Sequence, residues 1–471
     1  QIGDFLKTIE KVRSVGSLGV TRGHPERSVF TGGIARTVVL PSHKESMPNQ
    51  VKLTMFSYNC PLADLYLTSF SLSFLILLKS LHSIMVERWL LLFSLIFSFF
   101  TPLLTQQLLF VQALWRHGER AGNKGDSLHD KTLFKYGIGE LTEAGINNTY
   151  NVGRWLRHRY IDTDKFLSPV MNPKELYIQS VDVSRCLMSA ESVGQGMFNA
   201  DGRYPPLPVP VHSRPRDSDW MLAFKWSNCD GLGREFSRIC SDYPIISLLS
   251  SYNDYEGESF RCSNASNNAS FFNTAEKYQL IEPLIALDLA GAKLPDWYTP
   301  ELRNEAREVS DKALRFQLGL GEFHNKRILR FSTGLLIDTL QKELLHKWKC
   351  SQIESFDPNC AAIQPIKFRA FSTQDFVLNS LLETLGKEAR IEALSPLGHP
   401  QYNALILIEL WNIEGSPKVK ILYRPDAYKE EATVITPFVR GCSNEYCSLD
   451  LFDSCCREIR TSNPKDDCDN R

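Results

Sequence analysis

The sequence predicts an α/β fold, with a central, mostly parallel sheet flanked by helices and a smaller helical cap domain inserted into it. From Gln107 onward, apolar runs of strand length alternate with segments of helical periodicity, as in βα units. The first run, "QLLFVQAL" (Gln107–Leu114), is apolar at nearly every position, which is typical of a strand buried on both faces. With 471 residues, the chain has room for two or three structural units.

The chain before Gln107 follows a different pattern. The segment "MVERWLLLFSLIFSFFTPLLTQ" begins at Met85 with a short start containing Arg88, continues with an apolar core and ends in small or polar residues. This is the layout of a secretory signal peptide. We expect residues 85–105 to be a signal peptide and residues 1–84 to be an upstream extension without a fold. The alternative is an N-terminal signal anchor that holds the protein in a membrane.

The elements of the α/β core follow in order. "LTEAGINNTYNVGRWLRHRY" predicts a helix capped by Thr142, because polar N-cap side chains accept hydrogen bonds from the first turn. "ELYIQS" and "FRAFS" predict two more strands, each running directly into a helix. "ALILIELWN" and "KVKILYR" predict a pair of strands near a sheet edge. We assign the core to residues 106–200 and 333–471.

The middle of the chain, residues 201–332, shows few strand signals and mainly helical ones. Its clearest helix opens with Thr299 and Pro300 and is followed by glycines, the usual arrangement at helix ends. We therefore predict a helical insert domain here.

Charge and cysteine content narrow the classes of function. Formal net charge is −1, so no basic surface predicts binding to nucleic acid. Twelve cysteines favour an oxidising compartment. Glycosylation sequons point the same way, and they lie at Asn147, Asn264 and Asn268. We expect a secreted protein or one of the lysosomal lumen.

Polar residues follow three of the predicted strands. They are Arg116, His117 and Arg120 after the first, Ser180, Asp182 and Arg185 after the second, and Gln374 and Asp375 after the third. Ligands of open parallel sheets bind at the carboxyl ends of the strands, so these side chains should face one cleft.

The residue types in this cleft indicate phosphate chemistry. Three arginines offer forked cationic donors that match phosphate oxygens, and they would repel one another without an anion. Neutral His117 could attack phosphorus and form a phosphohistidine, and Gly118 would let the backbone approach a ligand closely. Asp375 could protonate the leaving alcohol, which favours an acidic working pH. Glu119 is a second possible proton carrier, although a solvated loop carboxylate is the simpler interpretation.

These motifs resemble the histidine acid phosphatases, branch 2 of the histidine phosphatase superfamily. The resemblance runs from about Gln107 to Cys468, and its motifs are "RHGER", "LTEAG", "YIQSVDVSRCLMSA", "LPDW", "STQD" and "RGCSNEYCSLDLF". It implies His117 as nucleophile, Asp375 as proton donor, and a phosphate-binding set made of Arg116, Arg120, Arg185 and Gln374.

The resemblance also implies disulfides and reveals two departures. Cys442 would pair with Cys447 and Cys229 with Cys468, whereas a third family disulfide is replaced by Ala286 and Leu405. The family has His-Asp where this chain has Gln374-Asp375, and glutamine cannot carry a positive charge. The pair His129-Asp130 lies in a different segment and is a poor substitute.

The resemblance therefore predicts an acid phosphatase acting on small-molecule or protein phosphate monoesters, with reduced turnover. The rival is a pseudophosphatase that binds phosphorylated ligands or partners. We expect no cofactor and no metal requirement, since no zinc-ligand spacing is present. A homodimer is possible.

Overall fold

A computed structural model describes residues 106–123, 128, 130–199, 202, 205–223, 229–240, 271–272, 275–353, 355 and 357–469. The predicted upstream extension and signal peptide lie outside these residues, as do His129, Asn264 and Asn268. Across the described ranges, no helix combines the length and the apolar character needed to cross a membrane.

One sheet organises the described part of the chain. Its strands are β1 (Gln106–Arg116), β2 (Leu176–Val181), β3 (Val211–Arg214), β4 (Phe368–Thr373), β5 (Leu405–Ile413), β6 (Ser416–Arg424), β7 (Thr433–Val434) and β8 (Cys447–Ser448). The order is β3-β2-β4-β1-β5-β6-β7, and β8 pairs with β6. The first four strands of this order are parallel, and the pairings from β1 to β5 onward are antiparallel. The α/β class is confirmed. The sheet is mixed, and its parallel half carries the predicted strand ends.

Strand β1 occupies the middle of the sheet, between β4 and β5. It is buried from Phe110 to Arg116, which explains why its sequence is apolar without alternation. Phe110 and Leu114 pack into one layer of the core, and Val111, Ala113 and Trp115 pack into the layer on the other face.

Helices cover both faces of the sheet. They are α1 (Glu143–Arg157), α2 (Ser184–Phe198), α3 (Asp230–Cys240), α4 (Ala275–Tyr278), α5 (Ile281–Leu289), α6 (Pro300–Leu318), α7 (Lys326–Ser351), α8 (Asp375–Leu385), α9 (Lys387–Leu394), α10 (Leu449–Ser454) and α11 (Pro464–Asp469). Thr142 caps α1 by accepting a hydrogen bond from the Gly145 N–H, as predicted. Thr299 caps α6, and Gly319 ends it in the left-handed conformation.

The predicted insert, residues 201–332, holds α3 to α6 together with one strand of the sheet. Strand β3 pairs in parallel with β2, but its sequence is short and mostly exposed, so it carries no strand pattern. Helix α7 crosses the predicted boundary at residue 332 as one continuous helix. The insert as a separate domain stays a prediction.

Four disulfides lie within the described residues. Cys229–Cys468 and Cys442–Cys447 have the pairing that the resemblance implied, and Cys350–Cys360 and Cys455–Cys456 are additional. Ala286 and Leu405, at the places of the missing family disulfide, are both buried. Of the predicted sequon residues, Asn147 is exposed on α1.

Candidate active site

The carboxyl ends of β1, β2 and β4 meet at one edge because these strands are parallel neighbours. The His117 N–H donates to the Thr373 carbonyl oxygen at 3.0 Å, which ties the end of β1 to the end of β4. Helix α2 begins three residues after β2, and α8 begins two residues after β4. Arg185 and Asp375 therefore lie in the first turns of helices that start beside His117.

The His117 side chain is buried, with only 2% of the residue exposed. Its Nδ1 lies 2.8 Å from the Gly118 carbonyl oxygen, so Nδ1 carries the proton and Nε2 keeps the lone pair. Burial lowers the pKa of His117 well below 6.5, and the charges of Arg185, Arg116 and Arg120 lower it further. The imidazole is therefore neutral, with one nucleophilic nitrogen, among three cations.

Gly118 packs closely against helix α1. A Cβ at this position would lie 2.5 Å from the Gly145 carbonyl oxygen and 2.6 Å from Thr149 Oγ1. The Gly118 N–H donates to Ser189 Oγ at 3.1 Å. The structure thus gives Gly118 a packing reason, since its backbone approaches α1 and α2.

Arg116 is held on three sides. Its Nη2 pairs with Asp375 Oδ2 at 2.8 Å, and its Nη1 donates to the Pro400 carbonyl oxygen at 2.8 Å. Its guanidinium lies 4.1 Å from the centre of the Tyr402 ring, a favourable cation–π contact. These contacts fix the orientation of the planar guanidinium at the edge of the sheet.

Arg120 is paired with a carboxylate from the predicted insert. Its Nη1 lies 2.6 Å from Glu282 Oε1 on α5, and Glu282 Oε2 accepts from the Asn123 N–H at 2.8 Å. Arg120 is 8% exposed, so water screens this pair weakly. Glu282 therefore anchors the loop after β1 to α5 and compensates one charge of the site.

Gln374, at the position where the resemblance implies a histidine, turns its oxygen toward an arginine. Arg185 Nη2 donates to Gln374 Oε1 at 3.0 Å. The glutamine oxygen thus accepts from Arg185, and only its amide nitrogen can donate to a bound anion. A histidine in this position would be able to add positive charge, whereas Gln374 adds a neutral donor.

Among the residues that form ion pairs in the site, Asp375 is the most exposed, and 31% of its side chain is accessible to solvent. Burial raises the pKa of its carboxyl, but Arg116 and Arg120 outweigh that effect and hold the pKa below 3.8. Without a bound anion, Asp375 is therefore a carboxylate.

Other candidates from the sequence have structural roles in the described residues. Glu119 accepts a hydrogen bond from Thr142 Oγ1 at 2.6 Å, beside the start of α1. Asp130 accepts from the N–H groups of Thr132 and Leu133 in a turn. Burial raises the pKa of Cys186, next to Arg185, to about 12, so its thiol stays protonated.

One group of possible metal ligands occurs in the described residues, away from the strand ends. It consists of His346, Cys350 and Cys360. The two sulfur atoms form a disulfide, so neither is a thiolate that could bind zinc.

Comparison with known proteins agrees with this geometry. The family model for the histidine phosphatase superfamily (branch 2) matches residues 107–424. The chain belongs to that superfamily. Human prostatic acid phosphatase is 26% identical over 77% of this chain and 88% of its own length. Xenopus laevis lysosomal acid phosphatase is 26% identical over 77% and 79%. The predicted enzyme class, histidine acid phosphatase, is confirmed at the level of the family.

Solved structures share the fold of this histidine phosphatase. Hafnia alvei phytase in complex with myo-inositol hexakis sulphate has a TM-score of 0.51 at 15% identity, over 77% of this chain and 99% of that one. The phytase from D. castellii has a TM-score of 0.50 at 14% identity, over 78% and 83%.

The predicted site residues come together in this histidine phosphatase, but some of their partners could not be predicted. Glu282 lies 162 residues from Arg120 in the sequence. Pro400 lies 284 residues from Arg116, and Tyr402 is in the same loop as Pro400. An acidic residue inside the apolar segment "LIEPLIAL" was the only available signal for Glu282. Ser180 bonds to its own strand and Asp182 is exposed, so neither joins the site by a direct contact in the described residues.

Proposed function

We propose that this protein hydrolyses phosphate monoesters through a phosphohistidine at His117, under acidic conditions. The observation that carries the proposal is a buried, neutral imidazole with a free Nε2, surrounded by the three cations Arg116, Arg120 and Arg185. A phosphate dianion would neutralise that cluster, and the forked guanidinium donors match its oxygens.

The site also retains donors for an anion. The Nε atoms of Arg116 and Arg120 are buried and have no hydrogen-bond partner among the described residues. Buried donors without partners are unfavourable, and phosphate oxygens are suitable acceptors. The two buried Nε donors without partners therefore support binding of a substrate phosphate between Arg116 and Arg120.

In the proposed first step, Nε2 of His117 attacks phosphorus. The P–N bond forms as the ester P–O bond breaks, and Asp375 gives its proton to the leaving oxygen. In the second step, water attacks the phosphohistidine and gives a proton to Asp375, which releases phosphate and restores the imidazole.

Asp375 can act as an acid only if substrate raises its pKa. The two nearest arginines favour the carboxylate, whereas a phosphate dianion held by those arginines opposes it. The pKa of Asp375 should therefore rise when substrate binds, and an acidic medium should supply the proton. This supports activity at acidic pH.

Gln374 supports the proposal of reduced turnover. Its neutral amide replaces a group that can be cationic, and a donor aimed at transition-state charge is typically worth about 10²- to 10³-fold in rate. The rival function is binding of phosphorylated ligands or partners without useful turnover, and the observation that favours it is the hydrogen bond that commits the Gln374 oxygen to Arg185.

We further propose a secreted or lysosomal protein, glycosylated at Asn147, Asn264 and Asn268. Four disulfides and the exposure of Asn147 support this location. The alternative is an N-terminal signal anchor, which predicts that protein expressed through the secretory pathway stays bound to the membrane. Small-molecule or protein phosphate monoesters are the proposed substrates, and a homodimer stays a prediction.

The test compares the full chain with His117→Ala and Gln374→His, using p-nitrophenyl phosphate near pH 5. We expect the parent to turn over slowly, His117→Ala to be inactive, and Gln374→His to be faster by about 10- to 100-fold, somewhat below the full value of a transition-state donor. If the parent matches His117→Ala while Gln374→His is active, the binding protein is the better description.

A further inference from the structure

The loop between α9 and β5 holds Tyr402 against the end of β1. The Arg116 N–H donates to the Ala404 carbonyl oxygen at 2.9 Å, and the Asn403 N–H donates to the His117 carbonyl oxygen at 3.4 Å. The two residues that follow Tyr402 are thus bonded to Arg116 and His117. These bonds fix the backbone of Tyr402 relative to the nucleophile.

The half-buried side chain of Tyr402 contacts the side chains of the same two residues. The centre of its ring lies 4.1 Å from the Arg116 guanidinium carbon, within the range of a cation–π contact. It lies 5.8 Å from the centre of the His117 ring, and the two ring planes are inclined by 43°. Aromatic pairs attract at this separation. One ring therefore touches both the nucleophile and an arginine of the predicted phosphate-binding set.

The hydrogen bonds of the Arg116 side chain leave its Nε without a partner. Its Nη2 pairs with Asp375 Oδ2 at 2.8 Å, and its Nη1 donates to the Pro400 carbonyl oxygen at 2.8 Å. Its Nε is buried and has no hydrogen-bond partner in the part of the chain that the structure describes. The Nε–H lies in the guanidinium plane, and hydrogen bonds weaken steeply when they are bent. This donor can therefore bind phosphate well only if the plane is held in one orientation.

One support of that plane changes during the proposed reaction. Asp375 has to be a neutral acid when it protonates the leaving group, and a neutral carboxyl binds a guanidinium less strongly than a carboxylate does. The contacts of Arg116 with the Pro400 carbonyl oxygen and the Tyr402 ring do not depend on that proton. Of these two, the ring is the one that also touches His117.

We propose that Tyr402 is a positioning residue, whose ring keeps the Arg116 guanidinium aligned with the His117 imidazole while Asp375 is protonated. The part of this inference that concerns catalysis rests on the function proposed above. The ring forms no bond to substrate and acts through Arg116 and His117. Its effect is that the Arg116 Nε–H stays directed at phosphate in the state that transfers the phosphoryl group.

The first test is a double-mutant cycle on the binding of inorganic phosphate, measured by calorimetry in the full chain at pH 7. It compares the parent, Tyr402→Leu, Asp375→Asn and the double variant, in which asparagine stands in for the neutral acid. With Asp375 present, loss of the ring should weaken binding about threefold. In the Asp375→Asn background the same change should weaken it about 20-fold, because the ion pair no longer compensates. Equal losses in the two backgrounds would overturn the inference.

The second test measures kcat in variants with and without a ring at position 402. On an alkyl phosphate, whose leaving group requires the neutral acid, Tyr402→Leu should lose about tenfold in kcat, and on p-nitrophenyl phosphate about threefold. Tyr402→Phe keeps the ring and should stay within about twofold of the parent in kcat and in phosphate binding. If Tyr402→Phe is as impaired as Tyr402→Leu, the hydroxyl matters and the inference is wrong. Tyr402→Met replaces Tyr402→Leu if the latter does not fold, since methionine fills irregular spaces.

The matched control is Tyr177→Leu, which removes a similar contact away from the strand ends. Tyr177, on β2, is also half-buried, and the centre of its ring lies 4.3 Å from the Arg369 guanidinium carbon. This change should lower stability to urea but leave phosphate binding and kcat as in the parent. If Tyr177→Leu weakens phosphate binding as much as Tyr402→Leu does, the losses report general destabilisation and the inference fails.

The two tests separate this inference from the proposed function, because phosphate binding needs no turnover. A larger loss in the Asp375→Asn background supports the positioning of Arg116 even if hydrolysis is absent. Equal losses in a protein that hydrolyses esters overturn the positioning and leave the phosphatase in place.

Discussion

Two of the three strand ends that form the site, those of β1 and β4, differ in how they balance charge. At the end of β1, His117 and Arg120 are almost fully buried, and Glu282 from the insert compensates Arg120. At the end of β4, about one-third of the Asp375 side chain is exposed, and Gln374 stands where the resemblance implies a histidine. In the proposed function, the β1 end supplies the nucleophile and two of the anion-binding arginines. The β4 end has to deliver the proton, and it offers a neutral amide where the resemblance implies a group that can be cationic.

In the proposed function, this difference assigns the reduced turnover to one half of the reaction. Attack on phosphorus and much of the phosphate binding depend on the β1 end, whereas protonation of the leaving group depends on the β4 end. The protein should therefore keep its affinity for phosphate and lose rate most on esters with poor leaving groups. Substitutions at Asp375 and at Glu282 test that division.

The largest effect should follow from Asp375→Asn. An asparagine cannot give up a proton, so kcat on an alkyl phosphate should fall by about 10²- to 10⁴-fold, while p-nitrophenyl phosphate, with a good leaving group, should lose much less. Steady-state kinetics with both esters measures the ratio. Equal losses on both esters would mean that the β4 end does not supply the proton.

A smaller effect should follow from Glu282→Gln, which removes the compensating charge and whose single side-chain oxygen can still accept from Arg120, although its amide nitrogen cannot accept from the Asn123 N–H. Inorganic phosphate should then bind about fivefold more tightly, because a nearby negative charge no longer opposes the anion. Competitive inhibition constants give the change. In Glu282→Ala, which takes away the Glu282 acceptor of both Arg120 and the Asn123 N–H and so releases the loop after β1, binding should weaken. If both variants bind phosphate as the parent does, Glu282 has no part in balancing the β1 end.

The smallest effect should be on stability against acid. The pKa of His117 lies well below 6.5 in the folded protein but near 6.5 in the unfolded chain, so the unfolded state takes up the proton first. Stability should therefore decline as pH falls below about 6.5, by at most about 1.4 kcal/mol per pH unit from this one group. Urea unfolding at pH 7 and pH 5 should show a smaller decline in His117→Ala than in the parent. An equal decline would place the acid sensitivity in other groups.

The sequence predicted the β1 end better than the β4 end for a physical reason. The segment from Gln107 to Arg120 is continuous, so strand, nucleophile and two arginines could be read together. The state of Asp375 depends on Arg116 and Arg120 from another strand, and its lowered pKa is visible only when these groups are placed in space.

Local signals also explain which elements could be predicted. Thr142 and Thr299 indicate helix starts in the sequence because their side chains accept hydrogen bonds from the first turn, and both cap their helices as expected. Strand β3 has a short, exposed sequence without a strand pattern, and it forms by pairing in parallel with β2. Glu282 reaches Arg120 across 162 residues, and no local pattern encodes such a contact.

The disulfide between Cys229 and Cys468 links the residue just before α3 to helix α11, across a separation of 239 residues. Every strand from β4 to β8 lies between the two cysteines in the chain. A ribosome adding about 5 to 20 residues per second needs roughly 12 to 50 s to make that stretch. During this interval Cys229 has no Cys468 to pair with, so this link can form only after the segment that carries α11 has been made. In an oxidising compartment, disulfide-exchange catalysts can reverse a wrong pairing that Cys229 forms before Cys468 has been made.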